Sequence, residues 1–80
     1  MEIENQLKKG ICQINLTIEE GDIDVYEGLM SSGMLDSFGF IEFVSFIETK
    51  FNISIDEDDL TTVNFKNIAQ TANYIKSKLE

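Results

Sequence analysis

The residues of this chain that could take part in chemistry are few, and Ser37 is the most informative of them. It stands between Asp36 and Phe38, after a glycine-bearing stretch and at the head of a helix-like run of apolar residues. A serine at a helix N-terminus can carry a phosphodiester, because free backbone N–H groups and the helix dipole tolerate the charge. Asp36 or Ser37 could also serve merely as the N-cap of the helix. The two roles do not exclude each other.

The composition excludes most catalytic chemistry. The chain has no histidine, so it can form neither a Ser-His-Asp nor a Cys-His relay and offers no imidazole ligand to zinc. Cys12 is the single cysteine, lacks an internal disulfide partner, and lies off the apolar stripe of its predicted helix, so its thiol could be exposed. The acids at residues 56–59 lack the spaced oxygens and central glycine of a calcium loop. A non-catalytic protein of a reducing compartment is predicted.

Negative charge is concentrated in the middle of the chain. The 80 residues carry 15 acids and a formal net charge of -9. Twelve of those acids lie between residues 17 and 59, where Lys50 is the only base. Such a field disfavours nucleic acids and anionic lipid surfaces and favours basic protein partners through salt-sensitive association. A surface that only confers solubility is the alternative.

The chain is predicted to form one small domain, residues 1–80, that is monomeric and cytoplasmic. No apolar run approaches the ~20 residues that a membrane-spanning helix requires. The first residues show neither a signal-peptide nor a transit-peptide pattern. No internal repeat, low-complexity tract or proline linker divides the sequence.

Apolar residues recur at helical spacing in three segments, and no segment shows the alternation of a strand. The predicted helices cover residues 2–15, with a stripe of Ile3, Leu7, Ile11 and Ile14; residues 37–51; and residues 64–79, with Asn64 as the N-cap candidate. Residues 16–36 form a long connecting loop, and the acids at 56–59 suit a short helix. The predicted fold is an all-α four-helix bundle with three main helices, a short third helix and a long first loop.

The predicted helix at residues 37–51 has two apolar stripes. The core face consists of Phe40, Phe43, Val44, Ile47 and Phe51. The second stripe consists of Phe38 and Ile41, continued by Ser45 and flanked by Glu42 and Glu48. One helix of so small a domain can rarely bury both stripes, so the second is predicted to be an exposed protein-binding surface. The alternative is that the long loop folds over it.

Together these features resemble the acyl carrier proteins over essentially the whole chain. The resemblance rests on Asp36-Ser37-Phe38, the acidic helix that follows, the IDEDDL turn and the final NFKNIAQTANYI segment. The DSF motif is more similar to discrete carriers beside acyl- or aminoacyl-activating enzymes than to the fatty-acid carrier, whose motif usually reads DSL. The resemblance implies that Ser37 receives 4'-phosphopantetheine from coenzyme A by a phosphopantetheinyl transferase. The arm would hold acyl or aminoacyl groups as thioesters in fatty-acid, polyketide or related specialised biosynthesis.

The resemblance also implies roles for residues around Ser37. Asp36 would help the transferase to position itself, and the partner-recognition face would comprise Phe38, Ile41, Glu42, Ser45 and Glu48. The partners would be ligases, synthases or acyltransferases with basic docking surfaces. Gly39, Ser45 and the rings of Phe40, Phe43 and Phe46 depart from the familiar pattern and predict poorer shelter for long acyl chains. An acidic helical interaction adaptor without a cofactor is the alternative function.

Overall fold

The computed structural model describes residues 2–61 and 63–80 and contains three α-helices. Helix α1 spans Glu2–Ile14, α2 spans Ser37–Phe51 and α3 spans Ile68–Leu79. Single 3₁₀ turns occur at Glu20–Asp22 and Glu57–Asp59, and the described residues contain no strand. The predicted all-α fold is confirmed, and its short third helix takes the form of the second 3₁₀ turn.

The core is built from the helical stripes. Its large, fully buried apolar residues on the helices are Leu7, Ile11, Phe43, Ile47, Ile68 and Ile75. Helix α1 packs against both α2 and α3. The predicted core face of α2 is narrower than expected, since Phe40, Val44 and Phe51 are only half-buried. These three residues lie beside the helical stripe that contains Phe43 and Ile47. Side chains at the edge of such a stripe contact neighbouring elements less completely.

The long loop between α1 and α2 packs its own apolar residues into the core. The buried loop residues are Ile23, Leu29, Met34 and Leu35. Its backbone is also tied to the start of α3: Leu29 N–H donates to Lys66 O at 2.9 Å, and Ala69 N–H donates to Val25 O at 3.0 Å. The loop therefore covers the beginning of α3.

The last helix begins four residues later than the position predicted for its cap. Asn67 is the N-cap, with its side-chain oxygen accepting from Gln70 N–H at 2.8 Å. Asn64 instead lies in the preceding turn, where its Nδ2 donates to Asp59 O at 3.0 Å. Asn64 and Asn67 each precede an apolar residue, so the local pattern could not distinguish the two candidates.

Gly10 has a packing role within α1. It is buried, and a Cβ atom built at this position would overlap the ring of Phe46 on α2. A glycine in mid-helix costs about 1 kcal/mol relative to alanine. Here its missing side chain lets an aromatic ring lie directly against the helix backbone.

The second 3₁₀ turn is attached to α3 by polar contacts. Tyr74 O–H donates to Asp59 Oδ2 at 2.7 Å, and Lys78 Nζ lies 4.0 Å from the same oxygen. Burial raises the pKa of Tyr74 above its usual value, and the hydrogen bond and negative charge of Asp59 add to the effect. The phenol therefore keeps its proton and remains a donor.

Two features are absent from the described residues. None of their helices is both long enough and apolar enough to cross a membrane. Within the same part of the chain, no group of three or more metal-ligating side chains is gathered around a common point.

Candidate modification site at the start of the second helix

Ser37 is the first residue of α2, and its side chain is exposed. Asp36 precedes it in extended conformation and is the N-cap of the helix. The Oδ1 atom of Asp36 accepts from Gly39 N–H at 2.7 Å. Because the aspartate performs the capping, the serine hydroxyl is available for another role.

Gly39 brings the first turn of α2 close to α1. A Cβ atom at this position would lie 3.2 Å from Asp36 Oδ1 and 3.4 Å from Ile14 Cγ2. The missing side chain thus leaves room for both the cap and the methyl group of Ile14. This close approach gives a structural reason for a glycine where a helix-favouring residue would otherwise be expected.

The segment that leads into Ser37 is held in place from both sides. Gly33 has a φ of 86°, a left-handed conformation that glycine adopts without strain. Leu35 N–H donates to Leu29 O at 3.0 Å, and Asn15 Nδ2 donates to Met34 O at 3.0 Å. Asn15 was not among the residues that the sequence singled out. The only sequence feature that could have identified Asn15 is its position as a polar residue directly after the apolar stripe of the first helix.

The second stripe of α2 is open to solvent. Phe38 is 80% exposed and Ile41 is 65% exposed, and Glu42 and Ser45 are exposed beside them. The long loop packs into the core and against α3 and leaves these side chains uncovered. The alternative in which the loop folds over the stripe is therefore wrong. Two large apolar side chains beside a free serine hydroxyl form an accessible surface of mixed character.

Glu48 differs from the other residues of the predicted partner face. Its Oε2 atom accepts from Ile55 N–H at 2.8 Å, and the residue is half-buried. The backbone oxygen of Glu48 also accepts from Ile53 N–H at 3.2 Å, just beyond the left-handed residue Asn52. Glu48 therefore fixes the chain after α2, whereas Glu42 has an exposed side chain.

An apolar groove is lined in part by Phe40, which follows Ser37 by three residues on α2. Its volume is about 540 Å³, and it is lined mainly by Met30, Phe40, Leu60, Val63, Phe65 and Lys66. Phe40 comes from α2, while the other lining residues come from the loops before α2 and before α3. The groove therefore lies beside the helix that bears Ser37.

Cys12 is separate from this site. It is half-buried and packs against the core, so the thiol is less exposed than its place on the helical wheel suggested. Burial raises the pKa of Cys12, and the nearby carboxylates of Glu20, Glu19 and Asp22 raise it further. The thiol is consequently protonated near neutral pH, which makes it a poor nucleophile.

Known proteins share this sequence pattern and this fold. A family model described as a phosphopantetheine attachment site matches residues 6–75. A D-alanyl carrier protein from Bacillus licheniformis is 37% identical over 59 residues, which cover 68% of this chain and 70% of the relative. A second D-alanyl carrier protein, from Bacillus velezensis, is 36% identical with the same coverage.

The fold comparison covers nearly the whole molecule. The solution structure of a holo acyl carrier protein from Nitrosomonas europaea superimposes with a TM-score of 0.83 and covers 99% of this chain and 98% of its own. The two sequences are 20% identical, so this likeness concerns the fold.

The fold and the attachment-site match define a carrier protein that bears a prosthetic arm. The chain belongs to the acyl carrier protein family, as its sequence predicted, and its cofactor is a covalently attached phosphopantetheine. The residues at the start of α2 fit this group, since an exposed hydroxyl stands at a helix N-terminus beside a cap supplied by another residue.

Proposed function

We propose that Ser37 bears the phosphopantetheine arm and that this chain carries acyl or aminoacyl groups as thioesters on the arm. The observation that supports the assignment is the exposed serine at the first position of α2, with Asp36 rather than Ser37 acting as the cap. In the loading reaction, Ser37 Oγ forms the ester bond to phosphorus while the pyrophosphate bond of coenzyme A breaks. The hydroxyl proton is lost to base, and adenosine 3',5'-bisphosphate leaves.

The names of the relatives support a small aminoacyl group as the cargo. Two relatives that are 37% and 36% identical to this chain over 59 residues are named D-alanyl carrier proteins. The DSF motif, which resembles that of discrete carriers beside acyl- or aminoacyl-activating enzymes, is compatible with this choice. We therefore place an aminoacyl-activating ligase first among the enzymes that load the arm. Fatty-acid and polyketide synthesis remain the other predicted pathways.

The chain acts in this proposal as a substrate for other enzymes and not as a catalyst. Its partners would dock on the exposed residues Phe38, Ile41, Glu42 and Ser45, with Asp36 near the transferase. Glu48 would add negative charge at the edge of this face, although its carboxylate is also bonded to Ile55. Such contacts would be brief and sensitive to salt. A cytoplasmic location remains a prediction.

The attachment site is tested by intact mass after incubation with coenzyme A and a broad-specificity phosphopantetheinyl transferase. The wild-type protein should gain the mass of one phosphopantetheine, and Ser37→Ala should gain none. Ser54→Ala is the matched control, because Ser54 is also an exposed serine but lies beyond the end of α2. This control should be modified at the wild-type rate.

The outcomes separate the two candidate functions. If the Ser37→Ala variant still gains the mass of one phosphopantetheine, the attachment site is another residue. A wild-type protein that gains no mass would instead favour the acidic interaction adaptor.

The docking surface is tested by the rate of the same loading reaction. Ile41→Ser should slow loading about tenfold, because it removes an exposed apolar contact from the proposed face. Its free energy of unfolding should change by less than about 0.5 kcal/mol, since the side chain is largely exposed. Leu79→Ser, at the exposed end of α3, is the control and should leave the rate unchanged. Equal slowing by both substitutions would place the docking surface elsewhere.

A further inference from the structure

Asn15, the residue after α1, is hydrogen-bonded to the segment that precedes α2. Its Nδ2 atom donates to Met34 O at 3.0 Å. Leu35 N–H, which belongs to the same peptide unit as Met34 O, donates to Leu29 O at 3.0 Å. The Met34–Leu35 peptide is therefore held at both of its polar ends, and Asp36, the cap of α2, follows it directly.

The amide of Asn15 has one orientation that satisfies its neighbours. Its Oδ1 atom accepts from Thr17 N–H at 3.1 Å and from Thr17 Oγ1 at 2.6 Å, while Nδ2 faces the carbonyl of Met34. A reversed amide would direct its N–H groups at the Thr17 amide and its oxygen at another oxygen. The backbone N–H of Asn15 donates to Ile11 O at 2.8 Å, so the residue continues the hydrogen-bonding pattern of α1. The helix and Thr17 together aim the donor at Met34.

The contact between Asn15 and Met34 borders two surface clefts. Their volumes are about 440 Å³ and about 310 Å³, and Asn15, Gly33 and Met34 line both of them. Gly33, with its φ of 86°, also places a conformationally permissive residue directly before Met34. The side chains of Met34 and Leu35 are anchored in the core. The orientation of their shared peptide depends instead on its hydrogen bonds, because the space beside it is partly open.

The held peptide is coupled to the first turn of α2 through the cap. Asp36 Oδ1 accepts from Gly39 N–H at 2.7 Å, and a helix whose cap is displaced frays in its first turn. Ser37 lies in that turn, whereas Ile41 lies one turn further along α2. Loss of the Asn15 bond would therefore move Ser37 relative to most of the proposed docking face.

We propose that Asn15 is a positioning residue for the loading of Ser37. The inference rests on the proposed function, in which Ser37 Oγ forms the ester bond to phosphorus and the pyrophosphate bond of coenzyme A breaks. The hydroxyl proton is lost to base, and adenosine 3',5'-bisphosphate leaves. An attacking oxygen must be aligned with the bond that breaks, and small misplacements cost much of the rate. Asn15 does not touch the reacting atoms and acts through the Met34–Leu35 peptide and the Asp36 cap.

The experiment separates the rate of the transfer step from docking. Single-turnover loading from coenzyme A is followed by intact mass at increasing concentrations of a broad-specificity phosphopantetheinyl transferase, well below the melting temperature of each variant. For Asn15→Ala the saturating rate constant should fall about tenfold, because the serine is no longer held in place. The half-saturating concentration should change by less than about threefold, since most of the docking face lies further along α2.

Asn64→Ala is the matched control. Asn64 is also half-buried, and its Nδ2 atom donates to Asp59 O at the same distance of 3.0 Å, but it lies before α3. Because each substitution removes one comparable hydrogen bond, both variants should lose a similar few degrees in melting temperature. Only Asn15→Ala should slow loading. A role confined to stability would affect the two variants alike.

A second substitution serves if Asn15→Ala folds poorly. Asn15→Asp keeps an oxygen that accepts from Thr17 and replaces the donor by a second carboxylate oxygen, which faces the carbonyl of Met34. Its saturating rate constant should also fall about tenfold, because the bond to the held peptide is lost.

A further measurement does not involve the transferase. Hydrogen exchange of the apo protein, followed by NMR, reports on the amide of Leu35 in the held peptide and on the amide of Gly39 at the cap. The internal reference is Ala69 N–H, which donates to Val25 O at the start of α3 and corrects for any general loss of stability. Relative to this reference, both amides should exchange about tenfold faster in Asn15→Ala than in the wild type.

Equal slowing by Asn15→Ala and Asn64→Ala would overturn the proposal, and so would wild-type rate constants in both Asn15 variants. An effect confined to the half-saturating concentration would also overturn it, because Asn15 would then belong to the docking surface. Unchanged exchange at Gly39 would show that the held peptide is not coupled to the cap. A wild-type protein that gains no phosphopantetheine would reject the proposed function itself, and the mass spectrum shows this before any variant is compared.

Discussion

Helices α2 and α3 begin with the same capping arrangement, yet only the start of α2 presents an exposed hydroxyl. Asp36 accepts from the amide three residues later at 2.7 Å, and Asn67 does the same at 2.8 Å. The residue after Asp36 is an exposed serine. The residue after Asn67 is Ile68, which is fully buried.

The long loop contributes to this difference. It passes over the start of α3, where Tyr26 O accepts from Asn67 Nδ2 at 3.4 Å and Val25 O accepts from Ala69 N–H. The same loop ends at the start of α2 and leaves Ser37 uncovered. A helix N-terminus favours an anion wherever it occurs, but only an uncovered one can be reached by an enzyme. Exposure thus distinguishes the proposed modification site at the start of α2 from the buried start of α3.

The largest expected effect comes from placing a serine at the buried helix start. Ile68→Ser should lower the free energy of unfolding by about 3 kcal/mol or more, because it leaves a cavity and buries a hydroxyl. Urea unfolding of the apo protein measures this loss. Ile41→Ser, the same substitution at an exposed site, should cost less than about 0.5 kcal/mol.

The Ile68→Ser substitution also tests whether exposure decides which helix start can be modified. The double variant Ser37→Ala/Ile68→Ser keeps a cap followed by a serine, but at the covered helix start. It should gain no phosphopantetheine when it is incubated with the transferase under conditions where it remains folded by circular dichroism. A gain in mass at residue 68 would show that cap and serine suffice without exposure.

A smaller effect is expected from removing each cap. Asn67→Ala should cost about 2 kcal/mol, because the side chain is 7% exposed and bonds both Gln70 and Tyr26. Asp36→Ala should cost about 1 kcal/mol, because the side chain is exposed and water can replace part of the lost bond. Urea unfolding of both apo variants gives the comparison. Equal costs, or a larger cost at Asp36, would contradict the view that the loop makes the α3 cap structurally more important.

Short-range patterns were sufficient to predict most of the helices. The 3.6-residue period predicted α1 and α2 to within one residue, because a helix repeats its environment every turn. The period did not show which asparagine caps α3, since Asn64 and Asn67 both precede apolar residues. That choice depended on the turn at Asp59, which accepts the side-chain amide of Asn64. Likewise, Glu48 has the spacing of a surface acid, and only the fold shows its bond to Ile55.

The sequence by itself determined the all-α class, the placement of Ser37 at the head of α2 and membership of the carrier family. These properties depend on neighbours a few residues away, or on a motif that is contiguous in the chain. The tertiary structure decided which helix start is covered, which apolar stripe of α2 remains exposed, and that the ring of Phe65 packs near both Phe40 and Tyr74. Those outcomes required the loop and the last helix to pack against residues more than twenty positions away. Burial depends on such long-range contacts, and the spacing of apolar residues within one helix does not reveal them.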